Sequence, residues 1–157
     1  MNLFIDKHQE LITQLINNKV EFIIIGGYSV IFHGYKRTTG DVDIWLKPTN
    51  NNKKKLLKVL EMESIVEEDI NTVEDLNFED HHVFSIWEEP EKVDFITRIN
   101  IVDFEVAYKN KINAEVDGII IPFIHLNDLI ISKFNTGRTK DQADIEQLQK
   151  IHSKKTN

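Results

Sequence analysis

Two aspartates two positions apart, Asp41 and Asp43, are the residues of this sequence best placed to do chemistry. Successive side chains of a strand point to opposite faces, so these carboxylates share one face while Val42 and Ile44 point to the other. Two ionised carboxylates on one face repel each other, and a cation bound beside them offsets the free-energy cost of this repulsion. The pair therefore predicts a site for a divalent cation, and its oxygen ligands suit Mg²⁺.

Gly26 and Gly27 directly follow an apolar segment rich in β-branched residues, 20–25. Residues without a Cβ let backbone N–H groups approach an anion closely, and the N-terminus of a following helix favours negative charge. A magnesium-bound nucleoside triphosphate needs both halves, because the glycines bind phosphate and the aspartates bind metal. Ser29 and Arg37 are further candidates for phosphate contact. Ser29 can equally serve the first helical turn, and Arg37 can coat a loop.

The elements that must position these residues follow from apolar periodicity and turn signals. The pattern predicts helices over 3–17, 28–33, 50–60, 126–134 and 141–151, and strands over 20–25, 41–46, 83–87, 93–99, 111–116 and 119–123. Thr49 or Asn50 is expected to cap a helix, and Asp117-Gly118 predicts a hairpin turn. Residues 61–80 are weakly patterned, and we interpret the part near Ile65 as a short strand. The order indicates an α+β fold, a mixed sheet with helices packed on one face.

The run Gly26-Gly27, thirteen residues, Asp41-Val42-Asp43 resembles the nucleotidyltransferase signature of the DNA polymerase β superfamily. Further segments are similar to small stand-alone bacterial nucleotidyltransferase-fold proteins, including those of toxin–antitoxin and abortive-infection systems: His33-Gly34, Arg37-Thr38-Thr39, Arg138-Thr139-Lys140-Asp141 and Asp144-Ile145. The resemblance extends from Val20 to about Leu148. It implies a polymerase β-like nucleotidyltransferase fold in which Asp41 and Asp43 bind Mg²⁺, as a two-metal site with the triphosphate, and Gly26 and Gly27 contact that triphosphate.

The same resemblance implies a third carboxylate on a later strand, and Asp94 is the predicted residue. It is a single acid between two apolar neighbours, Val93 and Phe95, where a charge needs a partner. As a metal ligand it is expected to help remove the proton of the attacking hydroxyl. Three acids in less regular sequence stay open as alternatives: Glu79, Asp80 and Asp103.

Composition excludes several other classes of protein. The 157 residues include no cysteine, which excludes thiol nucleophiles, zinc–thiolate sites and disulfides. A net charge of −7 argues against extended nucleic-acid binding. No apolar run has the length of a membrane span. We therefore expect one cytoplasmic domain over residues 1–152 and a loose C-terminal tail over 153–157.

The resemblance implies a magnesium-dependent enzyme that transfers a nucleoside monophosphate from a nucleoside triphosphate to an acceptor hydroxyl and releases pyrophosphate. The acceptor is open among a small molecule, a protein and a tRNA end. The alternative is a non-catalytic binding module or antitoxin that acts through protein contacts, with a helical protein encoded beside it as its partner. A third interpretation is a structural domain whose motif residues serve only turns.

Overall fold

The computed structural model describes residues 3–155. Along them the chain forms, in order, α1 (Asp6–Asn17), β1 (Phe22–Ile25), α2 (Gly26–Phe32), β2 (Val42–Leu46), α3 (Asn50–Met62), α4 (Glu67–Glu74), β3 (Val83–Ile86), β4 (Val93–Ile96), α5 (Phe104–Asn110), β5 (Ile112–Val116), β6 (Ile119–Phe123), α6 (Leu126–Ser132) and α7 (Thr139–Lys155). None of the helices within this part combines the length and apolar composition that a membrane span requires.

The strands form one mixed sheet in the order β3-β4-β2-β1-β6-β5. β1 runs antiparallel to β2 and parallel to β6, and β2 runs parallel to β4. The outer strands complete two antiparallel hairpins, β3–β4 and β5–β6. This arrangement confirms the predicted mixed sheet.

Helices cover both faces of the sheet, whereas the sequence pattern placed them on one face. Alternation along β2 explains the difference. Val42 and Ile44 point into a core shared with α1, α3 and α4, while Trp45 points into a second core. That second core also contains Phe104 of α5 and Leu148 of α7. Strands at the centre of the sheet are therefore buried on both sides, which is why β1 is continuously apolar.

Turn and capping chemistry fixes several element boundaries as predicted. The Thr49 hydroxyl accepts a hydrogen bond from the Asn52 N–H at the start of α3. Asp117 and Gly118 both have positive φ, 49° and 85°, as a two-residue type I′ hairpin turn requires.

The structure differs from the predicted elements in three places. The predicted strand near Ile65 is wrong: Ile65 lies in the short connection between α3 and α4, and the three acids in the first turn of α4 favour a helix N-terminus just after it. The helix α5 was not predicted. Helix α7 continues through Lys155, three residues into the segment expected to be a loose tail. Thr156 and Asn157 lie outside the described residues.

Candidate active site

A row of paired residues crosses four strands at the end of the sheet where β1 stops. Ile25 pairs with Asp43, Asp43 pairs with Asp94, and Asp94 pairs with Ser85 on the outer strand β3. Residues paired directly across neighbouring strands project from the same face. Asp43 and Asp94 are therefore adjacent carboxylates, and the Ser85 hydroxyl donates a hydrogen bond to Asp94 Oδ1.

Gly26 and Gly27, which form the corner between β1 and α2 and are called the glycine corner below, lie against this row. Gly26 has a φ of +68°, and a Cβ added there would lie 2.0 Å from Asp43 Oδ2. A Cβ on Gly27 would lie 2.2 Å from Thr39 Oγ1. Any other residue at either position would thus displace its neighbour, and the close approach of backbone to carboxylate depends on glycine. The structure brings together the two halves that the sequence predicted to be together.

The surroundings of Asp43 disfavour the ionised form of its carboxyl group. Its pKa is raised from 3.8 to about 6, first by burial and then by the negative charges of Asp94 and Asp41, while the charges of Lys133 and Lys140 oppose the rise. A divalent cation beside these acids would offset the repulsion. In donor type and in charge, the carboxylates fit an oxygen-preferring ion such as Mg²⁺.

Lys92 supplies part of the missing positive charge. Asp41 lies just before β2, and the Lys92 Nζ is 3.8 Å from Asp41 Oδ2 and 3.4 Å from Asp94 Oδ1. These acids, Asp94 first, raise the pKa of Lys92. Among residues 3–155, no group of three or more His, Asp or Glu side chains has an arrangement that could hold a metal ion. Lys92 contacts two of the three acids, Asp41 and Asp94, and would compete with a cation for them.

Because Lys92 competes for the same carboxylates, we expect Lys92→Gln to bind Mg²⁺ or Mn²⁺ several-fold more tightly than the unaltered protein. Calorimetric titration with Mn²⁺ measures this affinity. Lys36→Gln, an exposed lysine in the loop before β2, is the control and should leave it unchanged. Equal or weaker affinity in Lys92→Gln would show that the lysine does not compete with the ion.

Ser29 and Arg37 lie near the glycine corner but are engaged by the protein. The buried Ser29 hydroxyl donates to the Gly26 carbonyl at 2.6 Å, so its proton is used within the first turn of α2. The Arg37 guanidinium contacts the buried Asp144 of α7, with Nε 3.2 Å from Oδ1 and Nη2 3.3 Å from Oδ2. Phosphate contact by either residue remains a prediction, because each would have to share an existing partner.

The row of paired residues borders a cleft of about 560 Å³. Gly26, Asp43 and Asp94 line one part of it, and Lys133 and Arg138 line another. Glu79, Asp80 and Asp103, the alternatives for the third carboxylate, are not among its lining residues, and neither is Asp41, which adjoins the site through its contact with Lys92. Asp94 is therefore the best-placed third acid.

Sequence reasoning missed two lysines of this site. Lys92 precedes Asp94 by two positions, so strand alternation could have placed both on one face. Lys133 interrupts the apolar end of α6 between Ile131 and Phe134, which was a weaker signal.

Comparisons with known proteins agree with the fold. The profile of a family described as nucleotidyltransferase of unknown function (DUF6036) matches residues 3–154. The lincosamide antibiotic adenylyltransferase LnuA, solved with lincomycin bound, covers 93% of this chain and 96% of its own, with a TM-score of 0.54 and 18% identity. A candidate nucleotidyltransferase of Thermotoga maritima, TM1012, covers 94% and 91%, with a TM-score of 0.58 and 17% identity. No curated protein matches the chain by sequence. The two structures show that the predicted nucleotidyltransferase fold is shared.

Proposed function

We propose that this chain, which belongs to the DUF6036 family of nucleotidyltransferases, transfers a nucleoside monophosphate from a nucleoside triphosphate to an acceptor hydroxyl and releases pyrophosphate. The observation that carries the proposal is the contact of Gly26 with Asp43, which is itself paired with Asp94. Because Gly26 has no Cβ, its backbone packs directly against Asp43, and Asp43 and Asp94 are a pair of repelling carboxylates beside it. This is the combination that a metal-bound triphosphate would fill.

Mg²⁺ is the proposed cofactor, and Asp41, Asp43 and Asp94 would hold it. When bound, it supplies positive charge to the triphosphate and to the reacting phosphorus. The support is the raised pKa of Asp43 together with the position of Lys92 between Asp41 and Asp94. Both observations indicate carboxylates that favour a cation.

In the proposed reaction the acceptor oxygen attacks the α-phosphorus, and the bond from that phosphorus to the bridging oxygen of the β-phosphate breaks. The electron pair of the broken bond leaves with pyrophosphate. The hydroxyl proton passes to a carboxylate, and Asp94 is the proposed base because it lines the cleft. Gly26 and Gly27 orient the phosphates by letting the backbone come close.

The acceptor is proposed to enter the same cleft, whose apolar lining includes Val83, Ile96 and Leu129. Lincomycin in the similar LnuA structure makes a small hydroxylated molecule the first acceptor class to test. A protein side chain and a tRNA end are the other two.

One observation favours a second candidate function, a non-catalytic nucleotide-binding module or antitoxin that acts through a protein partner. Within residues 3–155 the carboxylates of Asp41, Asp43 and Asp94 are not arranged as a metal-binding site, and Lys92 lies between Asp41 and Asp94. A module that only binds a nucleotide or a partner does not need the third carboxylate, whereas an enzyme does.

Incubation with labelled ATP, GTP, CTP or UTP, Mg²⁺ and each acceptor class tests the enzyme. We expect label transfer and pyrophosphate release, and a loss in Asp94→Asn larger than the roughly 10–100-fold typical of residues that only support metal ligands. Asp75→Asn, an exposed acid at the end of α4, should retain full activity. Nucleotide binding without transfer to any acceptor, unaffected by Asp94→Asn, would instead favour the binding module.

A further inference from the structure

Lys133, at the end of α6, is held by two buried carboxylates of α7. Its Nζ lies 3.0 Å from Asp141 Oδ1 and 3.1 Å from Asp144 Oδ2. Asp141 and Asp144 are only 3% and 1% exposed. An ammonium group has three N–H donors, and these two contacts account for two of them. The lysine is thus fixed in direction before any ligand arrives.

The ion network around Lys133 carries more positive than negative charge. Arg37 contacts Asp144, and the Arg138 Nε lies 2.8 Å from Asp141 Oδ2, so three cations surround two acids. In a chain of net charge −7, this concentrates positive charge at one place. One positive charge therefore has no counter-charge within the network, and an anionic ligand would balance it.

This positive charge faces the metal-favouring acids across the cleft. Lys133 and Arg138 line the cleft together with Asp43 and Asp94. The charge of Lys133 also lowers the pKa of Asp43 against its overall rise, so the two groups are within electrostatic reach. Arg37 connects the network to the glycine corner, because its Nη2 lies 3.4 Å from the position of a Cβ on Gly27.

We propose that Lys133, positioned by Asp141 and Asp144, binds the outer phosphates of the nucleoside triphosphate, with the exposed Arg138 as a second contact. The two aspartates of α7 hold the lysine and do not bind metal. The inference rests on the proposed function and assigns the direction of the triphosphate in the cleft. Its outer phosphates lie toward α6 and α7, and its α-phosphate lies toward Asp43 and Asp94.

This arrangement suits the leaving group of the reaction. Negative charge develops on pyrophosphate as the bond to the α-phosphorus breaks, and a cation already fixed in place stabilises that charge without reorganisation. A free lysine would lose side-chain entropy on binding phosphate. Lys133 has already lost it, because its two buried partners hold it.

Inorganic pyrophosphate with Mg²⁺ is the probe, since it offers the outer phosphates without a base. We expect calorimetry to show pyrophosphate binding roughly 10–100-fold weaker in Lys133→Gln, the loss of a charge-assisted hydrogen bond. Arg138→Gln, whose side chain is 75% exposed in the native protein, should fold normally and bind severalfold more weakly. Lys150→Gln, on an exposed part of α7, is the control and should bind as the unaltered protein does.

The competing explanation is that Lys133 only fastens α6 to α7. In that case a folded Lys133→Gln, checked by circular dichroism, binds pyrophosphate and each triphosphate with unchanged affinity, and the proposal is overturned. If Lys133→Gln does not fold, unchanged pyrophosphate affinity in Arg138→Gln overturns it equally. An unaltered protein that binds none of the four triphosphates refutes the proposed function instead, so the two failures are distinguishable.

Discussion

Asp43→Asn is expected to make the metal-free protein more stable while it abolishes nucleotidyl transfer. In the native protein the Asp43 carboxylate is buried beside Asp94 and Asp41, and its pKa is raised to about 6. Ionised Asp43 therefore opposes folding at neutral pH, and a neutral amide of the same shape removes that cost. A rise from 3.8 to about 6 corresponds to a gain of up to about 3 kcal/mol in the free energy of unfolding. The activity loss should exceed about 100-fold, because a proposed metal ligand is removed.

The stability difference between Asp43→Asn and the unaltered protein depends on pH. Between about pH 4 and pH 6 the folded protein binds more protons than the unfolded chain, so the penalty from Asp43 grows as pH rises through about 6. The advantage of Asp43→Asn should therefore be full above that pH, shrink as pH falls, and vanish below about pH 4. Thermal unfolding without metal across this range measures it.

Two results bear on the prediction directly. Asp75→Asn, an exposed acid for which no such burial exists, should not change stability with this pH dependence. A less stable Asp43→Asn at neutral pH would contradict the prediction, since it would mean that the carboxylate contributes to folding without a metal. Adding Mg²⁺ should narrow the difference, because only the native carboxylate gains from the ion.

Gly26→Ala is expected to cost both stability and activity. The residue has positive φ, which costs an alanine about 1–2 kcal/mol, and the new methyl would lie 2.0 Å from Asp43 Oδ2 and 2.8 Å from Asp43 Cβ. The strand holds that Cβ in place, so the backbone of the corner must move. We expect a total loss of about 2–4 kcal/mol in the free energy of unfolding and at least a 100-fold loss of transfer, on the order expected for a displaced reacting group.

Gly118→Ala is the matched control for Gly26→Ala. Gly118 also has positive φ, +85°, but a Cβ there would have no atom within 4 Å. It therefore pays only the backbone cost and should retain activity. The difference between the two variants in urea unfolding isolates the collision with Asp43. Equal losses of stability, or full activity in Gly26→Ala, would show that the close approach at the corner is unimportant.

The centre of the site could be predicted from sequence because its signals are local. Alternation placed Asp43 away from Val42 and Ile44, and Asp94 stood out as a lone charge in an apolar strand. Asp41 was predicted to lie on the same strand but precedes β2. Hairpin and capping residues then fixed the surrounding elements. Such signals act within a few residues of one another, which is the range over which sequence patterns are informative.

The positive half of the site could not be predicted in the same way. Arg37 and Asp144 are 107 positions apart, and no periodicity connects them. Helix α4 was not predicted because Val73 is its only buried residue, which leaves no apolar stripe. Helix α5 is short, and its burial rests on Phe104 and Ala107 alone. Each depends on tertiary packing that becomes visible only once the sheet is assembled.

The register of β2 has a consequence for engineering this protein. Val42 and Ile44 face one core, while Asp43 and Trp45 face the other side of the sheet. The face on which each side chain lies therefore depends on the position of its residue within the strand. Inserting or deleting one residue inside the strand would turn every following side chain to the opposite face of the sheet. Acidic side chains would then point into the core, and aliphatic side chains would point into the site. Libraries that vary the identity of these residues can still fold, whereas libraries that vary the length of the strand would lose the core and the acids together.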